Sequence, residues 1–330
     1  MLLFVVFMIG IAILFDFLNG MHDAANSIST VVSTKVLSPR KALLWAAFFN
    51  FIACMVFGVS VAGTIGKGVV DQHVMDIFII FSAMVSGIVW NIITIKIGIP
   101  SSSSHALVGG LLGAGLIKGG FHAVVWKGIG IICLFIFLSP LFGMIFSILM
   151  MSCIAWITVK MTPYATKKTL QIGQLFSSAL LSLAHGGNDA QKTMGIITII
   201  LFSQGYLTVF NVPFWVIMAC QSAMGLGTLF GGMNVMNTMS KKITKLSTVQ
   251  AFSSEAGCGF SLVVATLLGI PVSTTHTMTG AIIGSGISKN TKAVKWNNIV
   301  KIVFSWLITI PCAAIIGGMI WYILHLLIIA

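Results

Sequence analysis

Charged side chains are too scarce in this sequence to cover a surface that faces water. Only 7% of its 330 residues are Asp, Glu, Lys or Arg, and 58% are hydrophobic, whereas a soluble domain has about 25% charged residues. The apolar runs also lack the polar/apolar alternation of a membrane β-barrel. We therefore predict an all-α integral membrane protein and exclude a soluble enzyme or a nucleic-acid-binding protein.

The length of the chain limits the number of membrane segments. A spanning helix takes about 20 apolar residues, so a chain of 330 residues allows roughly 10 to 12 segments with short loops between them. The six cysteines are scattered along apolar runs and form no metal-binding motif. We expect a multi-pass protein of the cell membrane without a cofactor.

Two polar motifs occur twice along the chain, in the same order. The sequence GIPSSSSHALVGGLLGAGLIK at 98–118 matches GIPVSTTHTMTGAIIGSGISK at 269–289. In the same way, GMHDAAN at 20–26 matches GGNDAQK at 186–192. An internal duplication of this kind indicates two similar structural units.

The duplication divides the chain into a first transmembrane repeat, residues 1–165, and a second, residues 166–330, joined near 162–169. The loop at 35–41 is basic, whereas its counterpart at 203–213 has no Lys or Arg. Cytoplasmic loops carry the excess of Lys and Arg. Corresponding loops are therefore expected on opposite sides of the membrane, which predicts repeats of inverted topology.

Four motif segments are too polar or too short to be ordinary spans. Irregular backbone at membrane depth is tolerated where it lines a cavity or is buried in protein. Interrupted segments at matching positions of two halves are typical of a transporter site. The segments expected to be broken or re-entrant are 19–34, 100–117, 185–200 and 271–288, with further interruptions at Pro140 and Pro311.

Hydroxyl residues follow a proline at the start of both Pro-Ser/Thr-His segments, at 101–104 and 273–275. Proline in the first turn and Ser or Thr at the cap are typical of a helix N-terminus. Such an end attracts anions through its free N–H groups and its partial positive charge. Plain capping explains one copy, but two copies in matching halves favour a cradle for a tetrahedral oxyanion.

Acidic residues inside apolar stretches indicate a polar pathway. Asp23 and Asn26 share one helical face, as do Asp189 and Lys192. Carboxylate and amide oxygens suit a hard cation such as Na⁺, or a proton that neutralises the acid. An anion beside two aspartates is repelled until such an ion binds, so the residues predict coupled binding.

Other polar residues in or near the motifs leave two interpretations open. His105 and His276 are proton-sensitive groups or, as we favour, histidines that hold the polar segments in place. Lys192 attracts the oxyanion or serves as a counter-ion to Asp189. Glu255 is a third coupling acid or lies near enough to the surface to stay hydrated.

These motifs resemble those of the bacterial members of the inorganic phosphate transporter (PiT) family, and the resemblance covers essentially the whole chain. It implies a helical fold of inverted repeats and the import of phosphate with Na⁺ or H⁺. The matching segments are NGMHDAANSISTVVSTKVL (19–37), GIPSSSSHALVGG (98–110), HGGNDAQKTMG (185–195), GTLFGGMNVMNTMSKKITKL (227–246) and GIPVSTTHTMTGA (269–281).

The resemblance also implies which residues bind which ion, with Asp23 and Asp189 as the metal ligands if the ion is Na⁺. A departure from the commoner Gly-x-Asn-Asp of the family is His22, which lies opposite Asn188 and favours H⁺ or a metal–phosphate complex. The coupling-ion positions are Asp23, Asn26, Asn188 and Asp189, and the phosphate positions are Ser102, Ser103, Ser104, Ser273, Thr274 and Thr275.

The sequence therefore predicts a secondary active transporter that imports inorganic phosphate by symport, with alternating access around a midplane site. A permease for sulfate or another oxyanion is the alternative, but Asp23 and Asp189 favour phosphate because phosphate can donate a proton to a carboxylate. An intramembrane aspartyl protease is a distant alternative, because such enzymes need Gly-x-Gly-Asp and this chain has GMHD and GGND. Expected partners are phosphate, Na⁺ or H⁺ and the lipid bilayer; a homo-oligomer is left open and nucleic acid is not expected.

Overall fold

The computed structural model describes residues 2–65, 69–71 and 73–329, and its regular structure in those ranges is helical. This confirms the all-α prediction. The described residues form twelve α-helices: α1 (Leu2–Ser33), α2 (Pro39–Ile52), α3 (Ser60–Ile65), α4 (Ile77–Ile97), α5 (Ser103–Gly119), α6 (Trp126–Thr158), α7 (Pro163–Ser203), α8 (Phe214–Leu229), α9 (Met233–Asn237), α10 (Thr248–Leu267), α11 (Thr274–Lys289) and α12 (Trp296–Leu324).

The two helices that carry the acidic motifs are continuous, so the expected breaks at 19–34 and 185–200 are wrong. Helices α1 and α7 run through their polar motifs without interruption. The polar side chains of these motifs are buried among other helices, and several of them, such as Asn26 and Asp189, bond to side chains there, while the backbone keeps its own helical hydrogen bonds. Gly20 assists this packing, because a Cβ at that position would collide with the carbonyl oxygen of Met224 on α8.

The real breaks lie just before the Pro-Ser/Thr-His segments. Gly98 ends α4 with φ of 74°, and Gly269 follows α10 with φ of 68°, a conformation that glycine adopts readily. The chain then enters α5 and α11, which have 17 and 16 residues. At 1.5 Å per residue these helices are about 25 Å long, less than the roughly 30 Å of a bilayer core. Helices α5 and α11 by themselves are thus shorter than a bilayer core, as expected of re-entrant segments.

Pro140 and Pro311 do not interrupt α6 and α12, which corrects the expected breaks there. Neighbouring helices can satisfy the backbone groups that a proline frees inside a membrane helix. In α6 the neighbour is α11, since Gly280 lies so close that a Cβ would collide with the Pro140 carbonyl. The predicted joint at 162–169 is likewise mostly helix, because α7 begins at Pro163.

The Ser/Thr helix of each half packs on the closing helix of the other half. Helix α5 packs along α12, where Gly113 meets the backbone of Ala314, and α11 packs along α6, where Gly284 meets the backbone of Met144. Within each pair, later residues of one helix contact later residues of the other helix, so the two helices are parallel. Because α6 reverses direction after α5, the helices α5 and α11 run in opposite directions, as an inverted duplication predicts.

Basic residues collect at one end of the helix bundle. Val36, after α1, packs in the same apolar cluster as Ile243, and Lys295 Nζ donates to the Lys241 carbonyl at 2.9 Å. The segments that contain these residues, 35–41, 238–247 and 289–295, carry half of the 18 Lys and Arg residues of the chain. We call this part of the molecule the basic end.

The loops at 35–41 and 203–213 lie at opposite ends of the bundle, as their charges predict. Helix α1 begins in an apolar cluster that includes Leu207 and finishes in the cluster that includes Val36. The end that contains Leu207 is therefore opposite the basic end.

Five described helices are long and apolar enough to cross a membrane by length and composition. A sixth span is formed if α8 and the helical residues 233–242, bent by 63° at their break, are taken together. The more polar α7, α10 and α11 are largely buried among these helices. The five helices are Leu2–Ser33, Ile77–Ile97, Ser103–Ala123, Trp126–Thr158 and Trp296–Leu327.

Candidate ion and phosphate site

The two acidic motifs meet in the middle of the bundle, where α1 packs on α7. One ligand atom each of Asp23, His185 and Asp189 lies within 4.8 Å of the other two, and all three residues are buried. His185 Nε2 is 3.2 Å from Asp189 Oδ2. Two carboxylates and an imidazole are a donor set that can hold a hard cation or a proton.

The first-half motif pairs its aspartate with a histidine. His22 Nδ1 is 2.5 Å from Asp23 Oδ1, and His22 Nε2 is 3.3 Å from the Ile99 carbonyl oxygen. A neutral imidazole has one N–H and so can donate to only one of these two oxygens. The His22 ring thus lies between Asp23 and the chain that leads into α5.

Asn26 connects the same motif to the Ser/Thr helix of the second half. Its Nδ2 donates to Thr275 Oγ1 at 2.9 Å, and Thr275 Oγ1 donates to Asp23 Oδ1 at 3.2 Å. These contacts hold the N-terminus of α11 against the first acidic motif. The predicted coupling residues Asp23 and Asn26 are therefore brought together with the predicted phosphate residue Thr275.

The second-half motif pairs its aspartate with a lysine. Lys192 Nζ donates to Asp189 Oδ1 at 2.5 Å, to Ser104 Oγ at 2.6 Å and to the Val272 carbonyl at 3.0 Å. Lys192 is a counter-ion to Asp189, one of its two predicted roles. Thr274 Oγ1 donates to the other carboxylate oxygen of Asp189 at 2.9 Å.

Asn188 does not join this carboxylate cluster. Its Nδ2 donates to Thr266 Oγ1 at 3.1 Å and is 3.4 Å from the Ile270 carbonyl. His22 contacts the corresponding carbonyl, that of Ile99. Asn188 and His22 therefore both fasten the chain that leads into the Ser/Thr helix of their own half.

The first hydroxyl of each Ser/Thr helix is a helix cap. Ser102 Oγ accepts from the His105 N–H and Ser273 Oγ accepts from the His276 N–H, both at 3.3 Å. The capping interpretation therefore holds for these two residues in both halves. Both residues are buried at the inner ends of α5 and α11.

The second hydroxyl of each helix donates to a side chain of its own half. Ser103 Oγ donates to Asn19 Oδ1 at 2.5 Å, and Thr274 donates to Asp189. The third hydroxyl, that of Ser104 or Thr275, faces the acidic motif of the opposite half. All six predicted phosphate residues thus lie at this junction, and their hydroxyls also hold it together.

His105 and His276 lie side by side just inside the two helix starts. Their ring centroids are 4.8 Å apart, and the His276 ring stacks on Trp306 at 3.9 Å. Trp306 in turn donates to the Pro100 carbonyl at 3.2 Å. These contacts favour the holding role over direct contact with an anion.

Glu255 lies in a separate polar cluster. Its carboxylate accepts from Gln174 Nε2 at 2.9 Å and from Ser177 Oγ at 2.5 Å, and it is fully buried. The structure therefore does not place Glu255 near the surface, which was one of its two predicted environments. Glu255 also lies outside the group of possible metal-binding side chains that Asp23, His185 and Asp189 form.

A cavity of about 410 Å³ leads to the junction. Ser104, His105 and Lys192 line its inner part, and Val69 and Gly128 line the part nearest the end opposite the basic end. The remainder of its wall is largely apolar. This cavity is large enough for a hydrated small anion, and it brings that anion to the start of α5.

Sequence reasoning missed two members of this site, His185 and Asn19. His185 contacts Asp189, and Asn19 accepts from Ser103. Each lies four positions before an aspartate, one helical turn away on the same face, and they correspond to each other in the duplication. That shared spacing is the signal that could have identified them. Asp16, in contrast, accepts from Thr193 at 3.0 Å, consistent with structural polarity.

Comparisons with known proteins agree with this geometry. The model of the phosphate transporter family matches residues 19–317. A relative from Rhizobium meliloti (strain 1021), described as "probable low-affinity inorganic phosphate transporter", is 52% identical over 316 residues, 96% of this chain and 95% of its own length. A Bacillus subtilis (strain 168) relative with the same description is 40% identical, with 96% of both chains covered.

A solved structure has the same fold. It is described as "The sodium-dependent phosphate transporter", superimposes with a TM-score of 0.88 and is 25% identical, with 98% of this chain and 99% of that chain covered. The relatives are transporters, so the prediction that this chain is not an enzyme is confirmed, as is the multi-pass membrane location. This chain belongs to the phosphate transporter family.

Proposed function

We propose that this chain imports inorganic phosphate by symport with Na⁺ or H⁺, with alternating access around the junction of its two halves. The observation that carries the proposal is the meeting of Asp23 and Asp189 with the N-termini of α5 and α11. One part of this junction suits a cation and the other an oxyanion. Neither part is complete without residues from both halves.

The charges at the junction explain why phosphate needs a companion ion. Asp23 and Asp189 contribute two negative charges and Lys192 one positive charge, and all three are buried. Two like charges 4 Å apart repel by about 4 kcal/mol at an effective dielectric constant of 20. An anion therefore binds only after Na⁺ or H⁺ has neutralised the remaining carboxylate.

The helix N-termini supply the oxyanion part of the site. The first N–H groups of α5 and α11 carry partial positive charge and favour an anion. Hydrogen phosphate can also donate to a carboxylate, whereas sulfate has no proton to donate, so Asp23 and Asp189 favour phosphate over sulfate. A metal–phosphate complex would meet the same groups with its metal towards the carboxylates.

The charge asymmetry of the bundle indicates its orientation in the membrane. Cytoplasmic loops are enriched in Lys and Arg, so the basic end faces the cytoplasm. The cavity at Ser104 and Lys192 extends towards the other end, and phosphate enters through it. The two halves, as inverted repeats, then exchange roles to open the junction to the cytoplasm.

The identity of the ion is the finer part of the proposal. The structural neighbour is described as sodium-dependent, which favours Na⁺. The imidazole of His22 beside Asp23, where the second half has the amide of Asn188, favours H⁺. The two ions are separable by experiment.

The test is uptake of radiolabelled phosphate into proteoliposomes, with the Na⁺ gradient and the pH gradient imposed separately. We expect one gradient to accelerate uptake, and sulfate in excess to leave it unchanged. Uptake that sulfate blocks would point to a general oxyanion permease. Uptake that neither gradient accelerates would contradict symport. Repeating the assay with Mg²⁺ or with a chelator shows whether a metal–phosphate complex is the cargo.

A further inference from the structure

Corresponding positions of the two acidic motifs hold an amide and an ammonium. Under the shift that aligns GMHDAAN with GGNDAQK, Asn26 corresponds to Lys192. Each donates to the third hydroxyl of the opposite Ser/Thr helix: Asn26 to Thr275 at 2.9 Å and Lys192 to Ser104 at 2.6 Å. The geometry of the contact is thus shared by the two halves, and the charge is not.

The oxygens around the Lys192 ammonium are the oxygens that a bound monovalent cation would take as ligands. They are a carboxylate oxygen of Asp189, a hydroxyl of Ser104 and the carbonyl of Val272. An ammonium has three N–H donors, and each of these three oxygens accepts one of them. No donor is therefore left over for phosphate.

We propose that Lys192 is a tethered cation that permanently fills the ion position of the second half, so that phosphate is coupled to a single exchangeable cation bound at Asp23. This inference rests on the proposed symport. It assigns Lys192 to ion stoichiometry, whereas the sequence also allowed it a role in attracting the oxyanion.

The matching position of the first half holds no cation. The amide of Asn26 is uncharged and donates to Thr275, and His22 beside Asp23 contacts the Ile99 carbonyl. Lys192 is only 3% exposed and Asp189 only 1%, so the ion pair of the second half is shielded from water. A buried carboxylate of this kind requires a partner of opposite charge.

The experiment measures how phosphate uptake depends on the concentration of the driving cation, Na⁺ first and H⁺ if Na⁺ is inert. The variants are Lys192→Asn, which copies Asn26 into the second half, and Lys192→Arg, which keeps the charge. We expect a Hill coefficient of about 1 for the unaltered protein and for Lys192→Arg, and about 2 for Lys192→Asn. A coefficient of about 2 for the unaltered protein, or of about 1 for an active Lys192→Asn variant, overturns the proposal.

A second measurement covers the case in which Lys192→Asn does not transport. The melting temperature of each purified variant is followed as the driving cation is added. A cation that binds only the folded state raises the melting temperature, so we expect a larger rise for Lys192→Asn than for Lys192→Arg. Equal rises, together with no uptake, would overturn the proposal.

The reciprocal change gives a third readout. In Asn26→Lys a tethered ammonium would lie in both halves, and phosphate binding measured by titration with inorganic phosphate should no longer depend on Na⁺ or H⁺. Binding that still requires the cation contradicts the proposal. Failure of the unaltered protein to show any gradient-driven uptake would instead contradict the proposed function, and the melting experiment would still report on Lys192.

Discussion

The two Ser/Thr helix starts have kept the same caps, whereas the aspartates of the two acidic motifs have different partners. Ser102 and Ser273 cap their helices at the same distance. In the acidic motifs, Asp23 is paired with an imidazole and Asp189 with an ammonium. The duplication has thus preserved the caps of the two Ser/Thr helices and altered the partners of the two aspartates.

This difference teaches that a repeated motif can be copied in shape and changed in charge. An oxyanion has similar acceptor oxygens in several directions, so two like helix ends suit it. A coupled ion sets how much driving force is used for each phosphate, and that number changes when one position is filled by the protein itself. The following variants test which corresponding residues of the two halves have the same role.

The largest expected effect is the loss of stability in Asp189→Asn. This change leaves the Lys192 ammonium buried without its carboxylate, and breaking a buried ion pair costs about 3–5 kcal/mol. The measurement is thermal unfolding of the purified protein, compared with Asp23→Asn, in which no lysine loses its partner. Equal melting temperatures for the two variants would show that Asp23 and Asp189 contribute equally to the stability of the fold.

Asp23→Asn should remove coupled uptake while the fold is kept. We expect phosphate uptake to fall by about 100-fold, or about 2.7 kcal/mol, because the exchangeable cation loses its carboxylate. The matched control is Asp16→Asn on the same helix, whose side chain contacts Thr193. That control should keep most of its uptake. Full uptake in Asp23→Asn would remove this residue from the coupling site.

Thr274→Ala and Ser103→Ala should raise the phosphate KM unequally. Thr274 donates to the charged Asp189 and Ser103 to the neutral amide of Asn19, and hydrogen bonds to charged groups contribute about 1.5–3 kcal/mol against about 1 for neutral ones. We expect an increase of about tenfold or more for Thr274→Ala and of a few fold for Ser103→Ala.

The control for this pair is Thr274→Ser, which keeps the hydroxyl and should keep the KM. The cation dependence should change less than the phosphate KM in both alanine variants. An unaltered KM in both would mean that these hydroxyls hold the fold and do nothing for the substrate.

We expect the smallest losses of stability, and the most similar ones in the two halves, when the helix-capping serines are replaced. Ser102→Ala and Ser273→Ala each remove a hydroxyl that accepts from a backbone N–H at 3.3 Å. Loss of such a cap costs about 1 kcal/mol. Thermal unfolding should give nearly equal shifts, and a difference of more than about 2 kcal/mol would break the likeness of the two helix starts.

The sequence predicted the membrane fold and most residues of the junction because composition and duplication are written directly in it. The scarcity of charge left only a membrane protein, and the repeated motifs indicated Asp23, Asp189 and the hydroxyls of α5 and α11. The resemblance added the substrate. Each of these inferences rests on the composition, on a short motif or on the internal duplication, all of which can be seen in the sequence without the structure.

Other features depend on contacts between distant parts of the chain, and the sequence could not supply them. The continuity of α1 through its polar motif depends on Thr275, about 250 residues away, which the sequence pattern does not place beside it. The role of Lys192 depends on three oxygens from three separate segments. Asn188 contacts Thr266 and the Ile270 carbonyl and not the carboxylates, because neighbours along a helix point in different directions; its coupling role stays a prediction.

The exchange of packing partners between the halves has a consequence for biosynthesis. Helix α5, from the first half, rests on α12, where Gly109 and Gly113 allow the backbones of Ile310 and Ala314 to come close. Because α12 belongs to the second half, α5 cannot reach its finished position until that half has been made. A first half released alone would keep its motif and lack the surface on which its own substrate helix is seated.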